Sequence, residues 1–168
     1  MEPVAIVEKS QIVLAGFSFF GDPFSLSGEW TEENEIGRLW SRLMAFLTQH
    51  GDRLNHLKQP STGYEVHLEH AETPHKGHFE VFVGLEIDQV ADVPVELVVK
   101  ILPAATYAVF TLAGEQILSD WPRQIYHDWL PGSGYQSAYN FNFQFYDERF
   151  KGMDQLGESV IDVYVPIK

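Results

Sequence analysis

Three polar side chains recur at alternate positions late in the chain: Asn142, Gln144 and Tyr146, in the stretch FNFQFYDE at 141–148. Strict alternation marks a β-strand, so these three share one face while Phe141, Phe143 and Phe145 share the other. Two carboxamides and a phenol offer donors and acceptors without net charge, which suits orienting a ligand in a half-dry cavity. None of them exchanges a proton usefully near neutral pH, so acid–base chemistry would need a carboxylate from another strand. Glu80 shares strand parity with Phe82 and is the candidate, whereas Glu65, Glu69, Glu86 and Glu148 read as solvated surface.

A second polar cluster, HLEHAETPHKGH at 67–78, sets His67, His70, His75 and His78 symmetrically about a turn. Cross-strand pairing of His67 with His78 and of His70 with His75 puts the two pairs on opposite sheet faces, so they do not make one four-ligand centre. No metal site is expected there. No Ser-His-Asp arrangement, phosphate loop or nucleotide fingerprint stands at a readable spacing, and no cofactor is implied.

These side chains need a frame, and the composition bounds it. A chain of 168 residues, 45% hydrophobic and 14% aromatic, buries a substantial core and reads as one domain spanning 1–168. Eleven basic against 24 acidic residues give a formal charge of -13, which repels phosphate backbones and anionic bilayers, so neither direct nucleic-acid binding nor membrane association is expected. The absence of cysteine excludes disulfides, thiolate nucleophiles and thiolate zinc sites. The N-terminus lacks a basic signal-like segment, and no apolar run reaches the roughly 18 residues of a spanning helix. A soluble, cytoplasmic protein is the expectation.

Residues 4–20 read as an extended strand interrupted near Ser10, with Gly16 marking a close approach or bulge. Thr31, followed by Glu32 and Glu33, supplies an N-cap and acidic first turn for a helix whose Ile36, Leu39, Trp40, Leu43, Met44 and Leu47 recur at helical spacing up to His50. YEVHLEH at 64–70 and FEVFVGLEI at 79–87 read as a hairpin. Beyond Pro94, VELVVKIL and TYAVFTL are strand-like. A second helix carrying Leu118, Trp121, Ile125 and Trp129 begins near Ser119 or Asp120, with Pro122 in its first turn, and ends at Pro131. Strands at 139–147 and 159–166 finish the chain. The order β-α-β-β occurs twice, in halves of about 1–90 and 95–168, which predicts an α+β fold: an antiparallel sheet with both helices packed on it and a ligand-accepting groove between the halves.

The words YAVFTLAG, IYHDWLPGSGY, FQFYDERF and VYVPIK, in that order, together with EPVAIVEKSQIVLAGFS and FEVFVGLEI, resemble the GyrI-like small-molecule-binding domain, the effector-binding domain of AraC-type and MerR-type regulators. The resemblance spans about Pro3 to Pro166 and implies the duplicated β-α-β-β fold, with hydrophobic, often cationic aromatic ligands held between the halves. It also implies a glutamate two residues before the tyrosine of the last-but-one strand. Gln144 stands at that position and the tyrosine is retained as Tyr146, which implies weakened preference for cations over neutral, hydrogen-bonding ligands, with Glu80 as the carboxylate that could replace the missing glutamate from another strand. By the same resemblance Tyr64, Phe82, Tyr107 and Trp129 lie nearest the groove, and Trp40 presents its indole from the first helix; each also has an ordinary packing role.

The family domain fills this sequence without room for a helix-turn-helix, so a stand-alone binding protein for flat hydrophobic molecules is expected, making no covalent change. Two other readings remain open: a hydrolase of reactive toxins working through a groove carboxylate such as Glu80, and a gyrase-inhibitor-like module that binds a protein partner. The sequence leaves the oligomeric state open.

Overall fold

The computed structural model describes residues 1–26 and 33–168. Its strands are β1 (Ala5–Lys9), β2 (Ile12–Gly21), β3 (Gly63–Glu69), β4 (Phe79–Glu86), β5 (Val98–Leu102), β6 (Ala105–Ala113), β7 (Phe141–Tyr146) and β8 (Val160–Ile167). They form one sheet in the order β1-β6-β8-β7-β3-β4-β2-β5, with every recorded neighbour antiparallel. Each half contributes a β-α-β-β unit, β2-α1-β3-β4 and then β6, a helical segment, β7 and β8. The two units join where β3 pairs with β7.

Helix α1 (Glu35–His50) starts where the Asn34 side chain accepts from the Gly37 backbone N–H at 2.9 Å. Thr31 and Glu32, read as its cap and first turn, lie outside the described residues. Ile36, Leu39, Leu43 and Phe46 form the buried stripe, and Met44, expected with them, is 57% exposed. The β3–β4 turn holds the short helix α2 (Thr73–Lys76). The second long helical segment opens with α3 (Trp121–Arg123), continues as a π-helical turn over Gln124–Trp129 and ends at Leu130–Gly132. Asp120 caps it by accepting from the Arg123 N–H, and Pro122 occupies the first turn, where its missing N–H costs nothing. Leu118 belongs instead to a preceding 3-10 turn and is exposed, and Ile117 beside it is the buried residue.

Two short links decide the shape of the sheet. Ser10 and Gln11 alone separate β1 from β2, and Pro103 and Ala104 alone separate β5 from β6, yet each pair of strands lies six places apart in the sheet. Six strand spacings would span roughly 29 Å in a flat sheet. A two-residue link reaches at most about 11 Å between the flanking Cα atoms. The sheet therefore curls until its two edges meet, enclosing one face. That inner face holds Ile12, Leu14, Tyr64, Val66, Phe82, Leu102, Tyr107, Phe141 and Phe143, drawn from both ends of the strand order. Gly16 opposite Gly84 allows the bend: a Cβ on Gly16 would lie 1.9 Å from the Val83 carbonyl oxygen. The interruption near Ser10 and the close approach at Gly16 follow the expected pattern.

The outer face carries the helices over two separate cores. Phe17, Val81, Val83 and Leu85 pack under α1, while Phe110, Ile161, Val163 and Val165 pack with Trp121, Ile125 and Trp129. Trp40 touches both cores and bridges the seam. Because Gly16 meets backbone rather than a yielding side chain, Gly16→Ala is expected to lower unfolding free energy by about 3 kcal/mol in urea denaturation. Gly132→Ala, which meets nothing within 4 Å, should stay within about 0.5 kcal/mol of wild type.

Candidate functional site

The central strands meet the two helices along the seam, and register decides what lies there. Gly63 stands opposite Tyr146, Glu65 opposite Gln144 and His67 opposite Asn142. All six share the outer face, so the seam floor is a polar row between two apolar cores. Gly63 has a positional role, since a Cβ there would lie 2.8 Å from the Trp40 ring. Its bare backbone lets the indole lie against β3 and reach the next outward residue, Glu65.

Glu65 is the centre of this row and is fully buried. The Trp40 indole N–H donates to its Oε2 at 2.7 Å, the Gln144 amide donates to Oε1 at 3.0 Å, and the Tyr146 hydroxyl reaches Oε2 at 3.3 Å. His67 Nε2 lies 2.8 Å from Oε1. The Tyr146 hydroxyl also lies 3.2 Å from Gln144 Oε1, so its single proton is shared between two acceptors. Burial, then the charge and hydrogen bond of Glu65, push the Tyr146 hydroxyl well above its ordinary titration range, which keeps it a donor. A buried carboxylate is tolerated when its lone pairs are satisfied, and here four side chains do so. No lysine or arginine pairs with Glu65 among the described residues.

Two clefts flank the row. One, of about 770 Å³, lies beside Trp40 and Tyr146 and is walled by Ile36, Met44, Phe150 and Met153. Its aromatic rings meet edge to face, Trp40 with Tyr146 at 5.0 Å and Tyr146 with Phe150 at 5.0 Å between centroids. The other, of about 1240 Å³, lies beyond His67 and Asn142, under the π-helical turn. There the Asn142 amide donates to the Tyr126 hydroxyl at 3.1 Å, while Asn142 Oδ1 is buried without a partner among the described residues. An unmet acceptor of this kind costs about 1–3 kcal/mol.

The structure thus brings Trp40, Gln144 and Tyr146 together, with Asn142 on the same face. It separates the other nominated residues from them. Tyr64, Phe82 and Tyr107 fill the enclosed inner face, because strand parity turns them away from the helices. Trp129 lies on the outer face but packs edge to face on Phe110 in the second core. Glu80 is an inner-face residue near a sheet end, bonded to Ser18 at 2.7 Å, Lys100 at 2.5 Å and His70 at 3.3 Å. Glu65 and Glu86, read as solvated, are both buried, Glu86 against Tyr64 at 2.7 Å and Lys58 at 2.8 Å. The histidines do not pair across the hairpin: the α2 turn sets the register so that His67 faces Val81 and Glu69 faces Phe79. His67 goes to Glu65 and His70 to Glu80.

The sequence reading missed Glu65, Met44, Phe150, Met153 and Tyr126. The available signal for Glu65 was parity: it alternates with Tyr64 and Val66, so a covered outer face would bury it.

With this geometry in view, the model of the family described as Cass2, integron-associated effector binding protein, matches residues 5–167. The chain belongs to that family. It is 32% identical over 165 residues to the transcriptional regulator BrlR of Pseudomonas aeruginosa, an alignment that covers 96% of this chain and 54% of the regulator, so the chain spans about half that relative's length. Among solved structures, SAV2435 bound to tetraphenylphosphonium superposes with a TM-score of 0.71 at 14% identity, covering 100% of this chain and 94% of that one. The EcmrR C-terminal domain gives 0.64 at 16% identity, covering 98% and 96%. The integron cassette protein VCH_CASS2 of Vibrio cholerae gives 0.61 at 16%, covering 98% and 95%. At these identities the structural likeness is one of fold, and it agrees with the effector-binding resemblance carried by the sequence words. No helix among the described residues is long and apolar enough to cross a membrane.

Gly63→Ala should displace the Trp40 indole and break its bond to Glu65, seen as a shifted indole N–H resonance and a loss of about 1–2 kcal/mol of stability. Burial alone would raise the Glu80 pKa, but hydrogen bonds from Lys100, Ser18 and His70 outweigh it and hold the carboxyl below its ordinary value. A depressed folded-state pKa contributes stability in full above the unfolded value and loses it as pH falls through the folded one. Glu80→Gln should therefore flatten the fall in unfolding free energy between about pH 5 and pH 3, measured by urea melts.

Proposed function

We propose that the cleft beside Trp40 and Tyr146 binds a lipophilic aromatic cation, without covalent change, and that Glu65 supplies the counter-charge. The observation that carries this reading is a fully buried carboxylate held by Trp40, Gln144, Tyr146 and His67, with no lysine or arginine paired to it among the described residues and His67 as its ion-pair neighbour. Gln144 occupies the position where the sequence resemblance implies a glutamate, and Glu65 faces it across the β3–β7 pair, so the negative group is moved by one strand. Glu65 lies behind Trp40 and Tyr146 and does not itself border the cleft, where Asp154 is the lining carboxylate, so its charge acts on a ligand through those two side chains. The formal charge of -13 attracts cations from a distance as well.

The wall chemistry agrees. Met44 and Met153 are flexible, polarisable side chains that adapt to different ring shapes, and the faces of Trp40 and Tyr146 favour cations. SAV2435, which shares the fold, was solved with tetraphenylphosphonium, a lipophilic cation. Glu80 is tied to Lys100 on the inner face, so the proton-transfer role considered for it has no support from this cleft.

Tetraphenylphosphonium should quench tryptophan fluorescence saturably. Glu65→Gln should weaken its binding about tenfold while changing that of neutral triphenylphosphine oxide by less than about twofold. Equal losses for both compounds would remove Glu65 as the counter-charge, and absence of saturable binding would remove the proposal.

A further inference from the structure

The cleft under the π-helical turn is not used by the reading above. It shares no lining residue with the cleft beside Trp40, and the buried Glu65–Gln144 pair lies between them. We propose that it is a second small-molecule site, for a planar aromatic ligand carrying amidine-type N–H donors, and that it fills independently of the first.

Size comes first. At about 1240 Å³ the cleft exceeds what a drug-sized molecule needs, so such a ligand enters without displacing an element. Its walls are suited to a flat ring. Phe79, Trp121 and Tyr126 are among the aromatic residues that border the space.

Polar chemistry sets the ligand's sign. Asn142 borders the cleft with an Oδ1 that lacks a partner among the described residues, while one of its two amide hydrogens goes to Tyr126. What this asparagine lacks is a donor. Around it the carboxylates of Glu69, Asp120 and Asp128 face a single guanidinium, Arg123, among the lining residues, and Asp120 spends one oxygen on the helix cap. A ligand presenting N–H donors and positive charge meets this set, whereas a phosphate or carboxylate would be repelled.

The backbone contributes as well. The π-helical turn Gln124–Trp129 is wider than an α-turn, and Tyr126 projects from it to meet Asn142. Such turns occur preferentially where a side chain must be placed for function.

The test uses the full chain and two probes: a fluorescent diamidino-phenylindole for this cleft and tetraphenylphosphonium for the other. The diamidine should bind saturably, shift the Trp121 indole N–H resonance, and remain bound in excess tetraphenylphosphonium. Asn142→Leu should weaken the diamidine about tenfold and leave tetraphenylphosphonium within about twofold. Asn142→Asp keeps the acceptor and adds charge, so it should tighten diamidine binding about threefold or more, which tests the site even if the leucine variant fails to fold. Displacement of the diamidine by tetraphenylphosphonium overturns the proposal, as does an affinity unmoved in Asn142→Asp, or no saturable binding. Should tetraphenylphosphonium fail to bind while the diamidine behaves as described, the reading of the Trp40 cleft falls and this one stands.

Discussion

Ser10–Gln11 and Pro103–Ala104 are too short to cross a flat eight-stranded sheet, and the architecture follows from that limit. Once the sheet curls to bring its edges together, one face becomes an interior and must be filled by apolar side chains. Phe82, Tyr107 and Phe143, all fully buried, fill it with large rings. The helices lie on the outer face, each over its own half, and the central strand pair β3–β7 lies between them.

That central pair carries an unusual composition for a covered surface. Glu65, His67, Asn142, Gln144 and Tyr146 occupy positions that could each hold an aliphatic residue in a sheet built only for stability. Most of the row is held together because Trp40, His67, Gln144 and Tyr146 converge on the same carboxylate, and Glu65 would be untenable if any large part of that set were withdrawn. Gly63 serves the same arrangement, because the indole reaches Glu65 only over a strand position without a side chain. Trp40 is at once a core residue for both halves and a hydrogen-bond donor at the seam, so the indole couples packing to the site.

Local signals made much of this legible. Alternation located the strands, the Ile36 to Leu47 stripe located α1, and Asp120 with Pro122 marked the second helical start. Parity in 141–148 correctly set Gln144 and Tyr146 against the helices and the phenylalanines away from them. The errors arose where pairing between distant strands decides the outcome. Tyr64, Phe82 and Tyr107 are ordinary apolar strand residues, and nothing local says that their face closes into an interior. Glu65 resembles any exposed strand glutamate until β3 is known to lie beside β7. The histidine hairpin was misregistered because α2 adds residues that sequence symmetry does not reveal.

Burying a carboxylate at the seam carries a thermodynamic consequence of its own. Replacing a buried charged set by well-packed apolar groups is often neutral or stabilising, whereas removing one partner from it is costly. The row around Glu65 therefore cannot be explained as the cheapest way to join two halves, because aliphatic residues at the same positions would join them with less desolvation. It is explained if the negative charge is needed by something that visits the cleft. Tyr146 fits this view: buried and kept from ionising, its hydroxyl lies within reach of both Glu65 and Gln144 and ties the two together. On the proposed reading, such a site would discriminate by charge from its floor and tolerate varied shapes where Met44 and Met153 supply flexible apolar contact.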